Sequence, residues 1–311
     1  MTRLTEALER AQFVPAVAPT ANSAVAAADV VPGTWQFDVD KAASPAAPVP
    51  VQPPMETAMP SAPAAYHFPA DMAEKVVVSA TAAAGLIEQY RRLAAVMHHA
   101  QTERGARSVM IGSAVAAEGK TLTATNLALT LSQSFDRRVL LIDADLRRPS
   151  LHEAFQLRND HGLVDSLRQP GGGRLPVHMV SRNLWVLTAG RPTSDPMSGL
   201  VSEAMKQLLA DASEQFDWVI VDTPPVALMP DANLLAGMID TALLVVSANT
   251  TPYPLVQRAA AAIGMSRILG VILNRSSQAA LEQEYGYYGY YDRAPRTAAA
   301  PRRGVFRLFG K

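Results

Sequence analysis

Ser113-Ala-Val-Ala-Ala-Glu-Gly-Lys120-Thr121 sets a lysine and a hydroxyl directly behind a glycine. An apolar run precedes this stretch and helical periodicity follows it. A loop so placed aims backbone N–H groups and a helix N-terminus at phosphate oxygens. Lys120 can bridge the β- and γ-phosphates of a nucleotide, and the Thr121 hydroxyl can ligate Mg2+. Ala116, Ala117, Glu118, Gly119, Lys120, Thr121 and Leu122 are therefore the expected ATP contacts. The match to the phosphate-loop pattern is imperfect. Ala114 stands at the first glycine position, and Ala117 lies in a loop that often carries glycine, where alanine tolerates positive φ poorly.

Two further apolar runs end in carboxylates. Val139-Leu-Leu-Ile-Asp143-Ala-Asp145 supplies two aspartates, and Trp218-Val-Ile-Val-Asp222-Thr-Pro-Pro225 supplies one. Singly, each aspartate reads as readily as a capping residue after a strand. In a parallel α/β sheet, however, ligands sit at the C-terminal ends of the strands. Asp143, Asp145 and Asp222 should then converge on the phosphate loop, where Mg2+ offsets the cost of burying carboxylates.

A third feature is the run from Tyr285 to Tyr291. Tyr285, Tyr287, Tyr288, Tyr290 and Tyr291 are spaced by Gly286 and Gly289. Glycine lets several hydroxyls reach one site, and each phosphotyrosine would add roughly −1.5 to −2 charges. Without a phosphate loop upstream, the same run would read as a sticky tail packed on the surface. Other features carry less. His98 and His99 are adjacent on a helix and so diverge, which makes a solvated pair rather than a metal pair. Arg147 and Arg148 fit either a phosphate clamp or a structural salt bridge.

The elements that must position these groups follow from apolar patterning. β-like runs are predicted at Ser108–Ile111, Val139–Ile142, Leu184–Leu187, Trp218–Val221, Ala242–Val246 and Ile268–Leu273. Helical patterns separate most of them, at Leu122–Ser132, Gly199–Glu214 and Leu255–Met265, and another spans Ala82–Ala100. Near-continuous apolar strands alternating with helices predict a doubly wound α/β fold, its mostly parallel sheet covered on both faces. The expected division is a disordered Ala/Pro-rich region over 1–70, an ATPase domain over 71–284, the tyrosine cluster over 285–291 and a flexible basic tail over 292–311. Prolines crowd residues 41–65, too poor in apolar surface to offset ordering entropy. Thr2–Phe13 reads as a frayed helix or as a docking peptide. The tail around Phe306, Leu308 and Phe309 reads as disordered or as lipid-touching.

Composition narrows the class. The 311 residues carry 28 basic and 28 acidic side chains, a formal charge of zero, so no global excess points to nucleic acid. There is no cysteine, which excludes disulfides, thiolate metal sites and cysteine nucleophiles. Met1–Arg10 lacks the apolar core of a signal peptide, and no apolar run reaches the ~18 residues of a membrane-spanning helix. A cytoplasmic protein is expected.

On its phosphate loop, on Leu140-Leu-Ile-Asp-Ala-Asp-Leu-Arg-Arg-Pro149, on Val219-Ile-Val-Asp-Thr-Pro-Pro225 and on its tyrosine cluster, the chain resembles the bacterial tyrosine kinases of exopolysaccharide and capsule assembly. These are relatives of the Min/Par-type ATPases. The resemblance runs from about Ala82 to Tyr291. Min/Par relatives usually carry an additional lysine early in the loop, where this chain reads Val115-Ala116-Ala117. The resemblance implies Mg-ATP as cofactor and tyrosine autophosphorylation as activity. Lys120 would hold the phosphates and Thr121 the Mg2+, which Asp143 would bind directly or through water and whose outer shell Asp222 would complete; Asp145, or its rival Asp143, would accept the tyrosine proton. Asn274 would contact the adenine, with Arg275 lining its pocket. It further implies a homo-oligomer, a tyrosine phosphatase, and an activating membrane protein of the chain-length-determinant type that holds the kinase at the inner face of the membrane. The family's Glu-x-x-Arg-x-x-Arg subunit-contact motif is matched by Glu88 and Arg91, but its third position is Ala94. Two other readings are a Min/Par-like partner-switching ATPase and a degenerate nucleotide-binding scaffold.

Overall fold

A computed structural model describes residues 35–37, 68–79, 82–168, 174–193, 195–227 and 230–276. The tyrosine cluster, the basic tail, the Thr2–Phe13 helix and the proline-crowded stretch lie outside the described residues.

The elements run β1 (Gln36–Phe37), α1 (Ala70–Ala73), α2 (Ala84–Arg104), β2 (Ser108–Ser113), α3 (Lys120–Ser134), β3 (Val139–Asp143), α4 (Leu151–Ala154) and α5 (Leu163–Leu167). Then follow β4 (Arg174–Leu175), β5 (Val177–Ser181), β6 (Leu184–Leu187), α6 (Pro196–Leu200), α7 (Glu203–Gln215), β7 (Trp218–Asp222), α8 (Pro230–Ala236), β8 (Thr241–Ser247), α9 (Tyr253–Ile263) and β9 (Ile268–Asn274). Seven strands form one sheet in the order β5-β6-β3-β7-β2-β8-β9. Its pairs are parallel except β5 with β6.

Every residue of β2, β3, β7 and β8 is buried. Alternation sends Met110, Leu140, Ile142, Val219 and Val221 into a core with α5–α9. Val109, Ile111, Leu141 and Ile220 enter a second core with α2, α3 and α4. Helices thus cover both faces, which is why the strands read as continuous apolar runs instead of alternating ones. Each fully buried aliphatic side chain contributes about 1.5–3 kcal/mol relative to exposure.

All six expected strands are present. Three differences have physical causes. The helix expected over 199–214 is two helices, because extended Ser202 interrupts it and its hydroxyl accepts the N–H of Met205 at 3.2 Å as a cap. The edge strand β5 escaped the apolar pattern because its side chains are only half-buried. Finally, order does not begin at residue 71. Trp35 is 1% exposed, Phe37 is buried, and β1 pairs in parallel with β4 inside the stretch expected to be unstructured. Two aromatic side chains bury enough surface to hold three residues where alanine and proline do not. Among the described residues, no helix is long and apolar enough to cross a membrane.

Candidate nucleotide and phosphoryl-transfer site

The β3–β7 register sets Asp143 directly opposite Asp222, and the β2–β7 register sets Ile111 against Asp222. The loop leaving β2 therefore arrives between the two carboxylate strands. Lys120 Nζ lies 3.2 Å from Asp145 Oδ2 and 3.6 Å from Asp222 Oδ1. The Thr121 hydroxyl donates to Asp222 Oδ2 at 2.7 Å. The convergence expected of Lys120, Thr121, Asp143, Asp145 and Asp222 is what the sheet delivers.

The three aspartates are not equivalent. Asp143 Oδ2 accepts the N–H groups of Ser150 and Leu151, each at 2.9 Å, and its Oδ1 accepts the Asp145 N–H at 3.2 Å. It therefore caps the turn into α4, the role a lone aspartate after a strand would take. Asp145 Oδ1 accepts the Arg148 N–H at 3.1 Å, leaving Oδ2 for Lys120. Asp222 is fully buried, and its Oδ1 has no hydrogen-bond partner.

Burial is the main influence on Asp143 and Asp222. It raises Asp143 to about 7, helped by the nearby Asp222 charge and opposed by the two N–H groups and Lys120. Asp222 is raised by burial too, against the pull of Lys120 and Thr121. Burial works against the Lys120 ammonium, but the attraction of Asp222 and Asp145 outweighs it and holds the lysine charged.

The orphaned Asp222 Oδ1 beside the Thr121 hydroxyl is a fitting donor set for Mg2+, a hard cation that takes oxygen ligands. Among the described residues there is no cluster of three or more side chains forming an all-protein metal cage.

The loop itself is held by a residue whose side chain the sequence did not single out. Glu118 is 1% exposed. One carboxylate oxygen accepts the Val115 N–H at 2.8 Å; the other accepts the Ser247 N–H at 3.1 Å and the Thr251 hydroxyl. Asn274 Nδ2 donates to the Glu118 carbonyl at 2.8 Å, so this side chain braces the loop. Exposed Arg275 follows with φ 58°. Ala117 has φ 63°, the left-handed conformation that alanine disfavours. Gly119 has φ 91°, and a Cβ there would lie 2.1 Å from Asn274 Nδ2, so glycine is required. Ser150 was also missed: its hydroxyl reaches Thr121 Oγ1 at 3.2 Å. Ala116 and Ala117 face solvent, and Leu122 is half-buried in the first turn of α3.

Away from the loop, Glu88 on α2 pairs with Arg92 at 3.6 Å. Arg91 is exposed, and Ala94 is completely buried. His98 and His99 are exposed, as expected of a solvated pair.

The ParA family model, described as an NUBPL iron-transfer P-loop NTPase, matches residues 106–293. The chain's lack of cysteine leaves no thiolate for iron. Tyrosine-protein kinase YwqD of Bacillus subtilis is 39% identical over 208 residues, covering 66% of this chain and 87% of that protein. Tyrosine-protein kinase etk of Escherichia coli K12 is 36% identical over 160 residues, 51% of this chain but 22% of that protein. The chain thus spans most of the first relative and about a fifth of the second. The solved kinase domain of Escherichia coli ETK superposes with a TM-score of 0.56 at 32% identity, over 62% of this chain and 78% of that one.

Proposed function

The chain belongs to the bacterial tyrosine-protein kinases within the ParA-like P-loop NTPases, and on that premise we propose how its residues carry out ATP-dependent tyrosine autophosphorylation. The observation that carries the reading is the grouping of Lys120, Thr121, Asp145 and Asp222 at the ends of three parallel strands. In phosphoryl transfer, catalysis is mostly positioning and charge stabilisation. Loop N–H groups and Lys120 bind the β- and γ-phosphates. Thr121 and Asp222, with Asp143 as a further carboxylate, would hold Mg2+, which would supply charge neutralisation on those phosphates. The acceptor is a tyrosine among Tyr285, Tyr287, Tyr288, Tyr290 and Tyr291. Asp145 accepts its hydroxyl proton; the phenolate oxygen bonds the γ-phosphorus as the bond to the β-bridging oxygen breaks, and ADP leaves. Of the two carboxylates weighed as the base, Asp145 is favoured because it lies 3.2 Å from Lys120, the group that binds the phosphates, while Asp143 is occupied by the backbone N–H groups of Asp145, Ser150 and Leu151.

The kinase regulates exopolysaccharide or capsule polymerisation and export. It works at the inner face of the membrane through a separate chain-length-determinant protein that activates it, and a tyrosine phosphatase reverses the modification. A homo-oligomer would use a surface that includes Glu88 and Arg91, with Ala94 unable to contribute. The adenine would lie near Asn274 and Arg275.

Purified protein is incubated with Mg-ATP, with and without an activator's cytoplasmic fragment, and its C-terminal peptide is read by mass spectrometry. Phosphate on residues 285–291 that disappears in Lys120→Met is the expected result. Hydrolysis with bare tyrosines would replace the reading with a partner-switching ATPase; neither binding nor hydrolysis would leave a scaffold.

A further inference from the structure

Trp35-Gln36-Phe37 docks on the kinase domain as a peptide ligand docks on a receptor. The Trp35 backbone N–H donates to Asp211 Oδ2 at 2.6 Å, and its indole N–H donates to the Ala204 carbonyl at 3.3 Å. Gln36 points outward, exposed, while Phe37 is 7% exposed and meets the Phe216 ring edge-on at 5.4 Å. The backbone adds to β4 in parallel, Gln36 opposite Arg174 and Phe37 opposite Leu175. Strand addition with alternate side chains in pockets is a recurrent mode of peptide recognition.

The receptor side is built for this. Asp211 is 5% exposed, and its second oxygen is fixed by Gln207 Nε2 at 2.6 Å. A buried carboxylate held on one oxygen offers the other to an incoming N–H. Leu175 and Phe216 line the place taken by the Phe37 ring. The motif lies well upstream of the family match at 106–293, so catalysis common to that family does not account for it. The ladder is two residues long, against five or six in the strands that carry the phosphate site. Thirty residues of sequence, 38–67, separate it from Phe68.

We propose that α7 from Ala204 to Asp211, with β4 and Phe216, is a peptide-docking groove. Trp35–Phe37 is its resident ligand, displaced by an extended segment of the same aromatic-x-aromatic chemistry. Covalent attachment to the same chain raises the motif's effective concentration, so a free peptide competes poorly with it and binds well once the motif is removed.

The test uses the full chain. A fluorescent peptide of residues 32–40 is titrated by anisotropy against wild type and against the double variant Trp35→Ala/Phe37→Ala. Saturable binding to the double variant, roughly 100-fold tighter than to wild type and lost when Asp211→Ala is added, is expected. No binding to a double variant that still melts cooperatively, or equal binding to both proteins, would overturn the proposal. Should the double variant fail to fold, a protease site placed at Pro53–Pro54 of otherwise wild-type chain decides it. After cleavage, the N-terminal fragment should co-elute with the remainder and leave when excess peptide is added, but not when the added peptide lacks both aromatics. A fragment that no peptide displaces, or one lost at once from a remainder that binds no peptide, rules the groove out.

Discussion

The Glu118 carboxylate, inside the phosphate loop, accepts the backbone N–H of Ser247 at 3.1 Å across 129 residues of sequence. Its other oxygen takes the Val115 N–H, so one side chain closes the loop on itself and ties it to the end of β8. Glu118→Ala would leave two buried N–H groups and the Thr251 hydroxyl without their acceptor. Each unsatisfied group costs about 1–3 kcal/mol, less where water can enter. We expect a melting temperature lower by several degrees and ADP binding weakened about tenfold, a loss of ~1.4 kcal/mol. Unchanged values in thermal melts and calorimetry would sink this role.

The two small residues flanking Glu118 should respond in opposite directions. Ala117 sits at φ 63°, where an L-residue costs roughly 1–2 kcal/mol. Ala117→Gly relieves that strain against a loss of unfolded-state restriction, for a net gain of about 0.5–1 kcal/mol in urea unfolding. Gly119→Ala drives a Cβ into Asn274 and breaks its bond to the Glu118 carbonyl. Nucleotide binding should fall at least tenfold, and a Gly119→Ala protein that binds ADP normally would contradict the geometry.

Asp222 Oδ1, buried and without a hydrogen-bond partner, makes a metal prediction. Mg-ADP should raise the melting temperature of the wild type more than ADP with EDTA does, because ligands stabilise by mass action. In Asp222→Asn that difference should vanish, while the metal-free effect of ADP persists. A Mg2+ increment of the same size in both proteins would assign the metal to other groups.

Ala94 stands where the subunit-contact motif has its second arginine. The side chain is 0% exposed and packs with Met97 in the core that α2 shares with α3. Ala94→Arg should therefore destabilise the fold by more than ~3 kcal/mol instead of restoring an oligomer contact, since the charge and bulk have nowhere to go. Denaturant melts with sedimentation would show it; a stable, more strongly associated variant would refute it.

Much of the site could be read locally. The strands ending at Asp143 and Asp222, and the glycine-lysine-threonine between strand and helix, are short patterns whose meaning is set by neighbours in sequence. The parallel topology they imply then brings Lys120, Asp145 and Asp222 together without further information. The apolar runs also specify two covered faces, because a parallel sheet leaves no strand side to water.

What the sequence could not show depends on partners far along the chain. A glutamate in a loop reads as solvated, and only the N–H of Ser247 and the hydroxyl of Thr251 make its burial favourable. Asp143 and Asp145 look alike in sequence; Asp143 accepts three backbone N–H groups, two of them from the turn into α4, while Asp145 accepts one and meets Lys120. Two aromatics in a stretch of alanine and proline give no periodicity, and their order comes from Asp211, Ala204 and Phe216, more than 160 residues away. Sequence by itself determined the fold class and the chemistry of the loop, since both follow from short-range pattern and chain connectivity. Tertiary structure decided which carboxylate is available, what holds the loop and where the domain begins, since each depends on hydrogen bonds and burial that exist only after distant segments meet.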